Sequence, residues 1–205
     1  MNTDTCDLYT IGHSNHELPR FVGLLRQHGV TVVADVRSSP YSAYSPQFNR
    51  ETLQAHLQAA GIGYIFLGAE LGARRAEPEC YDEEGRVHYA RVAQTPNFRA
   101  GLQRLADLRS TQRVALMCAE KDPLTCHRTI LICRALRDET PDIRHIREDG
   151  SMETHDAAES RLLALCRLPE RDLFHTRDEL IADAYNKQAA RIAYVAEDRE
   201  PVEVA

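Results

Sequence analysis

Two cysteines, a histidine and an arginine fall within one stretch of eleven residues, a combination that could carry out nucleophilic chemistry. The stretch reads Cys-Ala-Glu-Lys-Asp-Pro-Leu-Thr-Cys-His-Arg, from Cys118 to Arg128. A cysteine thiolate is a strong nucleophile, an imidazole can accept or return its proton, and a guanidinium binds phosphate or carboxylate through paired donors. Cys118, Cys126, His127 and Glu120 are therefore candidate catalytic residues, and Arg128 is a candidate anion ligand.

A second group of polar residues follows the first two apolar segments of the chain. His13 and Ser14 follow the first segment, and Asp35, Arg37 and Ser38 lie at the end of the second. Asp35 and Arg37 flank one valine and would face the same side of a strand, where they form either a structural salt bridge or an anion site. His13 is a candidate acid or base, and the other four are candidate substrate ligands.

The elements that must position these residues alternate between short apolar and amphipathic segments. This alternation predicts an α/β fold, a single domain with a mostly parallel sheet of about five strands flanked by helices, and extra C-terminal helices. Predicted strands cover residues 6–12, 30–37, 63–67, 113–119 and 142–147, and predicted helices cover 17–28, 50–60, 96–109, 123–138, 154–167 and 177–195. Because the carboxyl ends of parallel strands meet at one edge of the sheet, we expect the polar groups to converge there.

The chain is expected to divide into a core and an extension. Residues 1–150 would form the α/β core with the paired-cysteine motif, and residues 151–205 would form a helical extension packed on the core. The last residues are acidic and predict a mobile tail. Residues 68–96 have no clear period, which indicates either a functional lid or elements that the pattern does not reveal.

Four ordered motifs resemble the domain of unknown function 488 family. They are Thr-Ile-Gly-His-Ser-Asn at 10–15, Asp-Val-Arg-Ser-Ser-Pro at 35–40, the Gly-Tyr to Leu-Gly stretch at 63–72, and the cysteine segment at 118–128. The His145-Ile146 pair fits the final strand of the family, so the resemblance covers about residues 8–150. It implies an α/β domain with a paired-cysteine signature and leaves the activity open. Members usually carry Leu-Gly-Gly where this chain has Leu-Gly-Ala at 71–73.

Charge and hydropathy narrow the classes of partner. The 205 residues include 25 Lys and Arg against 31 Asp and Glu, a net charge of −6, which argues against broad nucleic-acid binding but leaves room for a local basic pocket. No apolar run approaches the roughly 20 residues of a membrane span, and the N-terminus lacks the features of a signal peptide. We therefore expect a cytoplasmic protein with free thiols and no membrane partner. Composition specifies no oligomeric state.

Most cysteines and histidines outside the motifs are expected to have ordinary roles. The cysteines assigned to the core or to no role are Cys6, Cys80, Cys133 and Cys166. The histidines assigned to the surface are His88, His155 and His175, whereas His145 is a weaker site candidate. Arg74 and Arg75 are interpreted as a solvated pair, with contact to an anionic ligand as the alternative.

Three functions fit these residues. The preferred one is an enzyme acting on a small anionic ligand that bears phosphate, such as a nucleotide or nucleic-acid fragment, with Cys118 or Cys126 as nucleophile and His13 or His127 as acid or base. The second is a thiol redox protein in which the two cysteines form and break a disulfide. The third is a metal site in which the cysteines and a histidine hold zinc or iron, the cofactors that this ligand set favours. A non-catalytic binding module is a further alternative.

Overall fold

The computed structural model describes residues 8–140 and 142–196 and contains one six-stranded sheet with helices around it. This confirms the predicted α/β fold. The strands are β1 (Leu8–Gly12), β2 (Val32–Asp35), β3 (Gly63–Phe66), β4 (Val114–Cys118), β5 (Ile143–Ile146) and β6 (Met152–Thr154). Their order across the sheet is β3-β2-β4-β1-β5-β6, and every neighbouring pair is parallel except β5 and β6.

In the described residues, eight α-helices connect or flank the strands. They are α1 (Leu18–Gln27), α2 (Arg50–Ala59), α3 (Gly68–Leu71), α4 (Tyr89–Val92), α5 (Pro96–Arg109), α6 (Arg134–Leu136), α7 (His155–Leu165) and α8 (Arg177–Ile192). Short 3-10 turns cover Pro46–Phe48, Pro78–Cys80 and Pro123–Thr125, and a π-helix covers Arg128–Cys133. The α5 helix begins as its sequence predicts, because Pro96 occupies the first turn and the Thr95 hydroxyl accepts a hydrogen bond from Phe98 N.

The sheet separates two apolar clusters, because successive side chains of a strand point to opposite faces of the sheet. One cluster joins Ile11, Val33 and Met117 to α1 and α2 residues such as Phe21 and Leu53. The other cluster joins the opposite side chains of the strands to α5, the π-helix, α7 and α8. The C-terminal helices therefore bury their apolar residues in the same core as the central strands.

Two local elements differ from the prediction. Residues 152–154 form a sixth strand, antiparallel to β5, where the sequence predicts only a loop before a helix. Residues 123–138 are not one α-helix, because a 3-10 turn ends at Cys126 in extended conformation (φ −131°, ψ 140°) and a π-helix begins at Arg128. Asp122 starts the 3-10 turn by accepting a hydrogen bond from Leu124 N at 2.9 Å.

The aperiodic stretch 68–96 contains short elements that a periodic pattern cannot reveal. It holds α3, a 3-10 turn and α4, none longer than four residues. Arg75 is buried in this stretch, donates to both carboxylate oxygens of Glu77 and to the Glu70 carbonyl, and so is not part of a solvated pair. The sequence missed this burial because the carbonyl partner comes from a separate short helix.

Two predictions fall on chain ends. Cys6 and the acidic tail beyond residue 196 lie outside the described residues. Within the described ranges, no helix combines the length and the apolar character that crossing a membrane requires.

Candidate active site

Three chain segments meet where the parallel strands end. The strand that carries Cys118, β4, lies between β1 and β2, and Gly12 pairs with Cys118 in register. After β1, His13 N donates to the Cys118 carbonyl at 2.8 Å, and after β2, Val36 N donates to the Met117 carbonyl at 3.0 Å. The loops after the three central strands are thus hydrogen-bonded together, as the parallel topology predicts.

The loop after β4 approaches β1 too closely for a side chain. A Cβ at Gly12 would lie 1.9 Å from the Glu120 carbonyl oxygen, so only glycine fits there. The next turn is strained as well, because Ser14 has a φ of 46°, a left-handed conformation that non-glycine residues rarely adopt. Ser14 N donates to the Ala119 carbonyl at 2.8 Å, which holds the strained residue against the loop. Such strain is concentrated at functional sites.

Cys118, Cys126 and His127 form one buried cluster. Their ligand atoms all lie within 4.8 Å of one another. His127 Nδ1 lies 3.6 Å from Cys118 Sγ and 3.9 Å from Cys126 Sγ. The other ring nitrogen, Nε2, donates to the Val36 carbonyl at 2.9 Å, which directs Nδ1 toward the sulfurs. A nucleophile, a base in reach and a group that orients the base are the parts of a thiol-based catalytic site.

The surroundings of the two thiols shift their pKa values in opposite directions. Burial opposes ionisation of Cys126, but the hydrogen bond from Cys118, the charge of Arg128 and the contact with His127 hold its pKa well below the ordinary value. The hydrogen bond to Cys126, together with burial, raises the pKa of Cys118 well above the ordinary value. Although burial disfavours its charge, the bond to the Cys126 sulfur raises the pKa of His127. These opposite shifts favour ionisation of Cys126 over Cys118, beside an imidazole that holds its proton more strongly than usual.

Arg128 lies behind the cluster and not in the cavity. Its side chain is fully buried, and its guanidinium donates to the carbonyls of Glu120 (2.7 Å) and Lys121 (3.3 Å). Its backbone N–H lies 3.4 Å from Cys126 Sγ and donates to that sulfur. Arg128 was expected to bind the ligand anion, but its position makes it a support for the loop and a countercharge for the thiolate.

Asp35 and Arg37 form a buried salt bridge. Arg37 donates to both carboxylate oxygens, with Nε–Oδ1 at 2.9 Å and Nη2–Oδ2 at 2.6 Å. Tyr64 donates its hydroxyl to Asp35 Oδ2 at 2.9 Å, and Arg37 Nη2 also donates to the Phe48 carbonyl. Asp35 is fully buried and has no access to a ligand. Of the two roles considered for this pair, the geometry of the carboxylate fits the structural one.

His13 is a neutral residue in the same network. Its Nδ1 donates to the Ser14 carbonyl at 2.9 Å, so Nε2 is free to accept from Arg37 Nη1 at 3.4 Å. The ring stacks on Phe48 with centroids 4.3 Å apart. Burial lowers the pKa of His13 to about 4. The positive charge of Arg37 also lowers this pKa, whereas the hydrogen bond to the Ser14 carbonyl raises it. His13 therefore enters any reaction at neutral pH as a base.

A cavity of about 760 Å³, lined by both polar and apolar groups, opens above the cluster and is large enough for a nucleotide-sized ligand. Seven of the ten predicted site residues line it: His13, Ser14, Arg37, Ser38, Cys118, Glu120 and His127. Asp35, Cys126 and Arg128 lie behind its wall. Of the two cluster cysteines, Cys118 lines the cavity and Cys126 does not.

A family model described as a domain of unknown function, DUF488, matches residues 17–135. The chain belongs to this family. The matched region contains the cysteine segment and the Asp35–Arg37 pair but ends before the C-terminal helices. No curated protein and no solved structure matches the chain. Because the family description states no activity, the function of this DUF488 chain has to be argued from the site.

The cavity of the DUF488 chain includes residues that sequence reasoning missed. Ile192, the last residue of α8, and Tyr194, two residues after it, form part of its wall. The Arg74 guanidinium lies 4.6 Å from the centre of the Tyr194 ring, and Arg74 N donates to Ser38 Oγ at 2.8 Å. The sequence suggests Arg74 as an alternative ligand contact. It gives no signal for Tyr194, which lies 66 residues beyond the last residue of the cysteine segment. Lys121 also lines the cavity and pairs with Glu148.

Proposed function

We propose that this protein is a cysteine-dependent enzyme that acts on a small phosphate-bearing molecule held in the cavity. The observation that carries the proposal is the position of Cys118, which lines the cavity while its sulfur lies 3.6 Å from His127 Nδ1 and within 4.8 Å of the Cys126 sulfur. Covalent catalysis by cysteine needs a nucleophilic residue at the ligand site with a base close to its sulfur; Cys118 lines the cavity, although it is only 3% exposed, and His127 and Cys126 lie beside it.

The two sulfurs of the cluster have different roles: Cys118 is the nucleophile and Cys126 is the base. The Cys126 thiolate takes the proton of Cys118 as the Cys118 sulfur forms a bond to the phosphorus atom of the ligand. The bond from phosphorus to the leaving oxygen breaks, and that oxygen takes a proton from His127. The hydroxyl of water or of a second acceptor then attacks phosphorus and gives its proton to His127. The bond from phosphorus to the Cys118 sulfur breaks, and Cys118 takes its proton back from Cys126, which restores the starting thiol, thiolate and imidazolium. Arg128 stabilises the negative charge throughout, because its buried guanidinium acts at low dielectric.

Three cationic side chains at the cavity favour an anionic ligand. Arg37, Arg74 and Lys121 all line it, although the protein as a whole has a net charge of −6. Arg37 is already paired with Asp35, and Lys121 with Glu148. Arg74 is exposed and stacked on Tyr194, so it is the cation best placed to meet a phosphate, and the stacked pair also suits the flat base of a nucleotide.

Alkylation by iodoacetamide, followed by peptide mass spectrometry, tests the reactive sulfur. We expect Cys118, which lines the cavity and can pass its proton to Cys126, to be modified at pH 7 at least about tenfold faster than Cys133, which is fully buried and does not line the cavity. The His127→Ala variant should lose most of this difference. Equal rates at Cys118 and Cys133 in the folded wild-type protein would contradict the proposal.

Thermal shift assays with inorganic phosphate and a panel of mononucleotides test the ligand class. A ligand at 100 times its Kd stabilises the folded state by about 2.7 kcal/mol, a shift of several degrees. We expect Arg74→Ala to abolish the shift and Arg171→Ala, at an exposed arginine after α7, to leave it unchanged. Cys118→Ala should keep the shift and lose the covalent adduct seen by intact-protein mass spectrometry. No shift with any member of the panel counts against the proposal.

A metal centre is the second candidate, favoured by the orientation of His127. Metal-binding histidines donate their second ring N–H to a carbonyl or carboxylate, and His127 does so to Val36. Cys118, Cys126 and His127 would hold Zn²⁺ and leave the fourth position toward the cavity, where the metal would activate water. Elemental analysis of protein purified without chelator, with Cys126→Ser as the comparison, separates the candidates, because the thiol mechanism requires no bound zinc.

The redox function stays a prediction. The sulfurs of Cys118 and Cys126 lie within 4.8 Å, whereas a disulfide requires about 2.05 Å. Alkylation after mild oxidation tests whether the two thiols pair, and an unchanged count of free thiols would end this alternative.

A further inference from the structure

A line of buried polar side chains runs from β1 through β5 to the C-terminal helices. Thr10 Oγ1 lies 2.8 Å from His145 Nδ1, and His145 Nε2 lies 3.1 Å from His155 Nδ1. His155 Nε2 lies 3.0 Å from the Tyr185 hydroxyl, which donates to Glu159 Oε1 at 3.1 Å. All five residues are buried. We call this line the Thr10–Glu159 relay.

The relay begins at the candidate active site. Arg128 Nε donates to Thr10 Oγ1 at 3.4 Å, and the same guanidinium holds the Glu120 and Lys121 carbonyls. At the far end, Glu159 pairs with Arg137 at 2.8 Å, near the protein surface. The relay thus connects the countercharge of the Cys126 thiolate to a carboxylate on α7.

Only one direction of donation satisfies every member of the relay. Arg128 can only donate, and an ionised Glu159 can only accept. The Thr10 hydroxyl therefore donates to His145 Nδ1, His145 Nε2–H donates to His155 Nδ1, and His155 Nε2–H donates to the Tyr185 hydroxyl. Both imidazoles must be neutral, in agreement with the burial that lowers the pKa of His155 to about 4 and that of His145 well below its ordinary value.

This burial corrects the sequence-based assignment of His155 to the surface. His155 and Glu159 are spaced i and i+4 on α7, which is typical of a solvated helix face. In the fold, however, β5 brings His145 and α8 brings Tyr185 against this face. Glu159 is buried together with His155, since it is only 3% exposed.

We propose that His145, His155 and Tyr185 are positioning residues for the thiol pair, which act by fixing the guanidinium of Arg128. A guanidinium held at Nε by Thr10 keeps its remaining donors aimed at the Glu120 and Lys121 carbonyls, and so fixes the loop between Cys118 and Cys126. All five relay members lie outside residues 17–135, the range that the family model matches: Thr10 precedes it, and the other four follow it. The inference rests on the proposed function only in taking the thiol pair as the reactive centre.

The C-terminal helices hold the cysteine loop at two other points, which supports this role. Gln188 Nε2 on α8 donates to the Leu124 carbonyl at 2.8 Å. Arg161 on α7 donates to both carboxylate oxygens of Asp122 at 2.8 and 2.9 Å. The extension is therefore connected to this loop through side chains from both of its helices.

The test compares pH profiles of Cys118 alkylation in matched variants. Tyr185→Phe removes one hydroxyl of the relay, and Tyr9→Phe removes a buried hydroxyl that accepts from Arg113 instead. We expect Tyr185→Phe to move the profile to higher pH and to slow alkylation at pH 6 by about threefold, equal to half a pKa unit. Tyr9→Phe should leave the profile unchanged. A purely structural role would lower the urea midpoint and leave the profile in place.

Thr10→Val and Thr10→Ser keep the test decisive if Tyr185→Phe does not fold. Valine removes the hydroxyl that contacts Arg128, and serine retains it, so only Thr10→Val should shift the profile. Unchanged profiles in the folded variants overturn the inference.

Charged side chains outside the relay also face its two histidines and contribute to the pH dependence of the protein. His145 faces Arg128 and Arg161 as well as His155, and His155 faces Arg137 and Asp156 in addition to Glu159. Because these groups are the same in each matched pair, the difference between variants reports the relay alone. A wild-type profile with an ordinary thiol midpoint contradicts the proposed function, whereas the relay is judged only by the difference between variant and wild type.

Discussion

His13 makes the stability of the protein sensitive to acid, and the size of this effect follows from its burial. Its pKa is lowered from 6.5 to about 4 in the folded state. Between these two values the unfolded chain binds a proton that the folded chain does not, so the free energy of unfolding falls as the pH drops through this window. The loss from this one group reaches about 2 kcal/mol at pH 5 and about 3.4 kcal/mol below pH 4.

The substitution His13→Asn isolates this contribution. Asparagine can still donate to the Ser14 carbonyl, the bond that His13 Nδ1 makes, but it does not titrate. Urea denaturation at pH 7.5 and pH 5 gives the free energy of unfolding for each protein at each pH. We expect the wild type to lose about 2 kcal/mol more than His13→Asn between the two values.

A matched variant controls for the other groups that titrate over this range. His88→Asn changes an exposed histidine and should lose the same stability as the wild type. If wild type and His13→Asn lose stability equally, to within about 0.5 kcal/mol, then His13 is not held neutral by the fold. The interpretation of its Nε2 as an acceptor from Arg37 would fail with it.

Two further substitutions test how the site is built. Gly12→Ala places a Cβ 1.9 Å from the Glu120 carbonyl oxygen, and we expect a loss of about 1–3 kcal/mol in urea denaturation and a changed rate of Cys118 alkylation, because the loop must move. Asp35→Asn leaves the charge of Arg37 buried without its partner, and we expect about 3–5 kcal/mol of destabilisation in the same assay; a loss below 1 kcal/mol would show that the salt bridge is not needed for folding.

The convergence of the candidate residues was predictable from the sequence because it depends on topology. Polar groups after the first, second and fourth strands had to meet once the strands were parallel and adjacent, and their loops do bond to one another. The order of the strands places β4 between β1 and β2, which brings His13 and Arg37 to the same cavity as Cys118. Spacing alone was enough for this level of description.

The direction of individual side chains was not predictable, because it depends on partners distant in the chain. Arg128 turns toward the Glu120 and Lys121 carbonyls since the loop exposes them on its inner side, a fact that no local pattern contains. His155 looks like a surface residue in sequence, yet Tyr185 and His145 enclose it. The π-helix at 128–133 has no periodic signature that distinguishes it from an α-helix.

The boundaries of the family match do not coincide with a unit that can fold. Residues 17–135 exclude β1, which lies between β4 and β5 in the sheet. A chain trimmed to the matched residues would leave β4, the strand that carries Cys118, as an uncovered edge with unpaired N–H and C=O groups. Such an edge is a template for pairing with other chains, so the trimmed protein should aggregate rather than report on the chemistry of the cysteines.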